Sequence, residues 1–87
     1  MIVTSITIDH INALIAKSLV TSVKLGRKTT VVHMTLPNGF ELVETSGCVD
    51  PSNYDHDLGI KTCMKRIVDK VWLLEGYRLQ CELYESE

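Results

Sequence analysis

The first element that the residue pattern indicates is a short amphipathic helix near the start of the chain. Apolar residues recur there at three- and four-residue spacing: Ile8, Ile11, Leu14, Ile15 and Leu19. Thr7 is suited to cap this helix, and Asp9 in the first turn matches the positive end of the helix dipole. The pattern therefore predicts a helix over about residues 7–18.

Residues 20–49 have the composition of a β-sheet. β-branched residues are frequent in this segment, and two clusters that favour turns, Gly26-Arg27-Lys28 and Pro37-Asn38-Gly39, divide it into three runs. We therefore expect an antiparallel meander that exposes one face to solvent. Its three strands are expected near residues 20–25, 29–36 and 40–48.

A long amphipathic helix is the clearest feature of the C-terminal half. Its apolar positions follow a 3.6-residue period: Ile60, Cys63, Met64, Ile67, Val68, Val71 and Leu74. The polar segment 48–57 precedes it, and Asn53 in that segment is expected to cap the helix. Gly59 is expected to let the helix approach the sheet closely, because glycine has no side chain.

The end of the chain admits two interpretations. Residues 77–83 alternate between apolar and polar side chains, which is typical of a strand. The same residues are good helix formers, and no β-branched residue follows Val71. We therefore expect the long helix to continue to about residue 83, with Gly76 as its weakest position.

These elements predict an α+β fold. A short N-terminal helix, a three-stranded antiparallel β-meander and a long C-terminal helix packed on one sheet face account for the pattern. The 87 residues, of which 45% are hydrophobic and 23% charged, are expected to form a single domain over 1–87.

The charge distribution argues against nucleic acid as the main partner. The net charge is −2, and neither half of the chain concentrates the basic residues that phosphate binding requires. The alternative is a small nucleic-acid-binding protein that uses the basic hairpin around residues 24–33. That hairpin contributes Lys24, Arg27, Lys28 and His33.

The chain is expected in the cytoplasm rather than in or across a membrane. The opening residues lack the basic segment and apolar run of a signal peptide, and no stretch approaches the roughly 20 apolar residues that span a bilayer. The three cysteines, Cys48, Cys63 and Cys81, form no paired framework and are expected as small buried hydrophobic residues in a reducing compartment.

No pattern of catalytic, cofactor-binding or metal-binding residues emerges. The acidic segment 50–57 lacks the glycine and the closing glutamate of a calcium loop, and the histidines lack metal-ligand spacing. A nucleophilic pair of Cys48 with His56 is chemically possible, although nothing positions a third group. We therefore expect no cofactor and no enzymatic activity.

Apolar residues after Val71 exceed what a small sheet can cover. Trp72, Leu79 and Leu83 fall at nearly the same angle around a continuous helix, and aromatic residues often anchor contacts between proteins. These three residues are the interface candidates. The partner is expected to be a second copy, in a homo-oligomer such as a dimer, or a host or phage protein.

Two segments of the chain resemble a family of small tailed-bacteriophage proteins. They are Leu36-Pro37-Asn38-Gly39-Phe40 with the following Cys48-Val49-Asp50-Pro51 loop, and the run from Asp69 to Tyr77 that contains Trp72-Leu73-Leu74-Glu75-Gly76. The family occurs in phages and prophages of enteric bacteria, including short-tailed Shigella and coli phages, and its function is unknown. The resemblance implies a viral accessory protein in the cytoplasm of an infected bacterium, and it favours a helix over residues 73–83.

Overall fold

The computed structural model describes residues 4–86 and has the element order that the sequence predicts. A short helix is followed by three strands, a short 3-10 turn and a long helix, so the α+β expectation is confirmed. The bounds are α1 Ile8–Ala16, β1 Leu19–Leu25, β2 Thr29–Thr35, β3 Glu41–Gly47, the 3-10 turn Pro51–Asn53 and α2 His56–Glu85.

The three strands form an antiparallel sheet in the order β1-β2-β3. Gly26 and Gly39 lie in the two connecting turns with φ of 67° and 92°, a region that favours glycine. Met34 at the centre pairs with Val20 on one side and Leu42 on the other. Because directly paired residues point to the same face, this register places alternate residues of all three strands on the side of the sheet where α2 lies.

Helix α2 packs along β2 and β3 and supplies three of the eight buried residues of the core cluster. Buried residues recur every fourth position at its sheet-facing side: Gly59, Cys63, Ile67 and Val71. Four helical residues rise about 6 Å and two strand residues about 6.8 Å, so this spacing matches the buried Thr30, Val32 and Met34 of β2.

The long helix extends beyond the sheet, and α1 covers part of the extension. The molecule measures 55 Å along its longest axis, whereas a seven-residue strand spans about 24 Å. α1 packs against α2 and contributes the buried Ile11 to the core. α2 continues without interruption to Glu85, so the strand alternative for residues 77–83 is wrong and the helical prediction is confirmed.

The cap of α2 differs from the one predicted. Asn53 does not cap the helix, because Asp50 and Pro51 begin a separate 3-10 turn that ends at Asn53. Asp55 caps α2 instead, and its Oδ1 accepts a hydrogen bond of 3.1 Å from the N–H of Leu58. The helix therefore begins two residues later than the sequence pattern suggests.

Replacing Asp55 by alanine should destabilise the fold by about 1 kcal/mol, because an N–H at the start of α2 loses its acceptor. Asn53→Ala, a matched change two residues earlier, should cost clearly less. Urea unfolding of both variants measures the difference. A larger loss for Asn53→Ala would contradict the assignment of the cap.

Two glycines of α2 should respond to alanine in opposite directions. A Cβ on Gly59 would lie 2.2 Å from Oγ1 and 2.8 Å from Cβ of Thr30, so Gly59→Ala should destabilise by about 1–3 kcal/mol through forced movement. A Cβ on Gly76 meets nothing within 4 Å, so Gly76→Ala should stabilise by about 0.5–1 kcal/mol. Thermal melting of the two variants tests both signs, and a stabilised Gly59→Ala would show that the approach to Thr30 is not close.

Candidate functional site

A chain of hydrogen bonds joins the sheet to the start of α2. The buried Thr30 lies with its Oγ1 2.7 Å from the hydroxyl of Tyr54, and that hydroxyl lies 2.7 Å from Nδ1 of His56. The ammonium of Lys24 sits 4.8 Å above the centroid of the Tyr54 ring. A buried hydroxyl without a hydrogen-bond partner destabilises a fold, and the Tyr54 hydroxyl is the partner of Thr30. The same contact holds the 3-10 turn against the sheet.

The structure does not join Cys48 to His56 by a hydrogen bond. The Cys48 thiol points to the carbonyl oxygens of Asp50, at 3.3 Å, and Lys28, at 3.9 Å, while Nδ1 of His56 faces Tyr54. Cys63 is buried against β2, and its burial raises the pKa of the thiol. Neither thiol therefore has a base positioned to form the reactive thiolate.

The acidic residues before α2 serve as caps. A hydrogen bond from the N–H of Ser52 lowers the pKa of Asp50, and Asp55 accepts from Leu58. Across residues 4–86, no three side chains of His, Cys, Asp or Glu come together in a way that could hold a metal ion.

The hollows on the surface differ in volume. The one beside Cys48, Tyr54 and Thr62 has a volume of about 100 Å³, whereas sites for small molecules usually enclose roughly 300–1,000 Å³. A larger groove of about 410 Å³ lies between residues 5–10 and α2, and its charged side chains Arg78 and Glu82 bind each other.

The basic residues of the first hairpin do not share one surface. Lys24 pairs with Thr30 and so lies on the α2 side of the sheet, whereas His33 pairs with Thr21 on the opposite side. Nε2 of His33 lies 2.8 Å from Glu41, and the Lys28 ammonium donates to the carbonyl oxygen of Val49 at 2.8 Å. The basic side chains of the hairpin therefore lie on both faces of the sheet, and some of them already contact other groups of the protein.

The interface candidates are distributed differently from the sequence-based prediction. Leu79, expected on an exposed flank, is only 7% exposed, and both Trp72, which packs against the core, and Leu83 are half-buried. The prediction of an exposed Leu79 is wrong. Beyond the sheet, a different side of α2 is buried, because the helix there packs against α1 and the residues just before α1. Leu79 lines the groove there with Ile6.

Other apolar residues occupy the exposed side of this helix end. Leu73, Tyr77 and Tyr84 are each more than 70% exposed. They follow one another at four and then seven residues, which returns to nearly the same angle, and Tyr77 lies about 200° around the helix from Leu79. We call these three residues the α2 stripe. The sequence shows the spacing of these residues. It does not show which side of this part of α2 faces the core, so it does not predict that they are exposed.

Strand β1 is also exposed. All seven of its residues are exposed, including Leu19, Val23 and Leu25 on the face away from α2. β3 lies at the other edge of the sheet, and there Arg66 of α2 donates to the carbonyl oxygen of Thr45 at 2.7 Å. The sequence predicted the strand but not its exposure on both faces.

The α1–α2 contact contains a charged network centred on Glu75. Its carboxylate lies 2.6 Å from Nε2 of His10 and 2.8 Å from Nε of Arg78, and Arg78 also binds Glu82 at 2.6 Å. Burial raises the pKa of Glu75, but the hydrogen bonds from His10 and Arg78 outweigh it, so the net pKa is lowered. These contacts also raise the pKa of Arg78.

Glu75 should make stability fall in acid. A carboxyl with a lowered pKa in the folded state stabilises fully above its unfolded pKa, and this contribution disappears as pH falls through the folded pKa. Between about pH 5 and pH 3, the wild type should therefore lose more stability than Glu75→Gln. Urea unfolding at several pH values measures this, with Glu82→Gln as the control. Parallel pH curves for the wild type and Glu75→Gln would contradict the role of Glu75.

Comparison with known proteins links the chain to phages. The model of the phage protein (N4 Gp49/phage Sf6 gene 66) family matches residues 6–83. No curated protein and no solved structure matches the chain. Within the part that the structure describes, no helix is both long and apolar enough to cross a membrane.

Proposed function

The chain belongs to the N4 Gp49/phage Sf6 gene 66 family of phage proteins, and we propose that it is an accessory protein that acts by protein–protein contact rather than by catalysis. Its place of action is the cytoplasm of the infected bacterium. Its partner is a second copy of the chain or a protein of the phage or the host.

The observation that carries this proposal is the α2 stripe. Leu73 and Tyr77 are 74% and 73% exposed on a helix whose opposite side is buried, so these two side chains do not contribute to the core of a single chain. Tyrosine is among the residue types that most often dominate binding energy between proteins, and Leu73 extends the apolar surface beside Tyr77.

The polar side chains support the proposal from another direction. The groups that would be chemically useful bind one another: His10 contacts Glu75, His33 contacts Glu41, and His56 contacts Tyr54. A catalytic site instead needs a group held ready for substrate in a cavity that admits it. The apolar surface is therefore the better basis for a function.

Capture of the tagged protein from phage-infected cells tests the proposal. The wild type should retain a protein in stoichiometric amount, either an untagged copy or a phage or host protein. Leu73→Glu combined with Tyr77→Glu should lose it, because two carboxylates would have to be desolvated in an apolar contact. Lys65→Glu with Lys61→Glu, exposed changes on the same helix, should keep it.

Nuclease treatment separates protein contact from the nucleic-acid alternative. Retention of the partner after digestion supports the proposal, and loss of all bound material after digestion contradicts it. A wild type that retains nothing more than the Leu73→Glu/Tyr77→Glu variant retains would also contradict it. Circular dichroism of every variant verifies that α2 remains folded.

A further inference from the structure

The free edge of β1 is the least protected part of the sheet. Its seven residues contain no proline and a single charge, that of Lys24, and all seven are exposed. β1 pairs only with β2, so the N–H and C=O groups of alternate residues point away from the sheet. Such an edge is a template for another strand unless charges, bulges, proline or a covering element block it.

The opposite edge shows what such protection looks like. At β3, the guanidinium of Arg66 donates a hydrogen bond to the carbonyl oxygen of Thr45, and Lys70 of α2 forms an ion pair with Glu44. Helix α2 itself lies over β2 and β3. β1 shows none of these contacts at its outer edge among the described residues, so the two edges are treated differently by the same fold.

We propose that β1 of one copy pairs antiparallel with β1 of a second copy, so that two sheets join into one of six strands. The inference rests on the proposed function, protein–protein contact, and names the partner at this surface. An exposed strand edge selects another strand, because only a strand offers N–H and C=O groups at matching spacing.

The sequence of β1 is complementary to itself in this arrangement. Pairing of all seven residues about a two-fold axis places Ser22 opposite Ser22 of the partner copy. Leu19 then faces Leu25, Thr21 faces Val23, and Val20 faces Lys24. On the face away from α2, apolar residues therefore meet apolar or β-branched ones, which are pairings that stabilise antiparallel strands. On the α2 side, Val20 meets Lys24, so the two lysines do not face each other.

The rest of the molecule leaves room for the pair. α2 lies over β2 and β3, and strands are about 4.8 Å apart, so the two copies of α2 would stand roughly 19 Å apart on the joined sheet. Packed helices need only about 8–10 Å between their axes. α1 does not cover the edge either, because Leu19, three residues after α1, is 74% exposed.

Two variants with equal charge should change the dimer in opposite directions. Ser22→Glu places two carboxylates face to face at the axis and should weaken association roughly fivefold. Val20→Glu places each carboxylate opposite Lys24 of the other copy and should strengthen association by a similar factor. Both positions are exposed on the same face of one strand, so each serves as the control for the other.

Analytical ultracentrifugation from micromolar to near-millimolar concentration measures these effects. The wild type should shift from 9.8 kDa towards twice that mass as concentration rises, since a contact one strand wide dissociates on dilution. An equimolar mixture of Ser22→Glu and Ser22→Lys should form mixed dimers in preference to either variant alone, because opposite charges then meet at the axis.

A wild type of 9.8 kDa at every concentration would overturn this inference, and the proposed function would still be decided by the capture experiment. A dimer that Ser22→Glu and Val20→Glu shift equally would also overturn it. If the Leu73→Glu/Tyr77→Glu variant dissociates that dimer, the contact lies at the α2 stripe and the proposed function stands.

Discussion

The close approach of Gly59 in α2 to Thr30 in β2 determines how the rest of the protein is arranged. No larger residue fits at position 59 without movement of Thr30, so the helix descends onto the sheet at this point. From there, Cys63, Ile67 and Val71 follow along the helix and complete the core with Val32 and Met34. Thr30 is itself held by Tyr54, which links the same contact to the turn before the helix.

This placement of α2 decides which surfaces remain free. A single helix covers about two strands, and contact with β2 and β3 leaves β1 exposed on both faces. The end of α2 that passes beyond the sheet is covered on one side by α1 and its preceding residues. The other side carries the α2 stripe, so both candidate interaction surfaces follow from the position of one helix.

The sequence predicts the elements of this fold well and their surroundings less well. Periodicity and turn residues give the two helices and three strands, because these signals are local. The cap at Asp55 and the burial of Leu79 escaped prediction, since one depends on an intervening 3-10 turn and the other on the residues before α1. The exposure of β1 depends on which strands α2 packs against, and a local sequence pattern does not predict this.

Amide hydrogen exchange of β1 at low and high protein concentration tests the central claim, that the free edge of this strand is a surface for a second copy. The amides that point away from β2 should exchange rapidly at micromolar concentration and become protected as concentration rises, at every other residue of β1. The outward amides of β3 should not change. Equal exchange of the β1 amides at both concentrations would contradict the account.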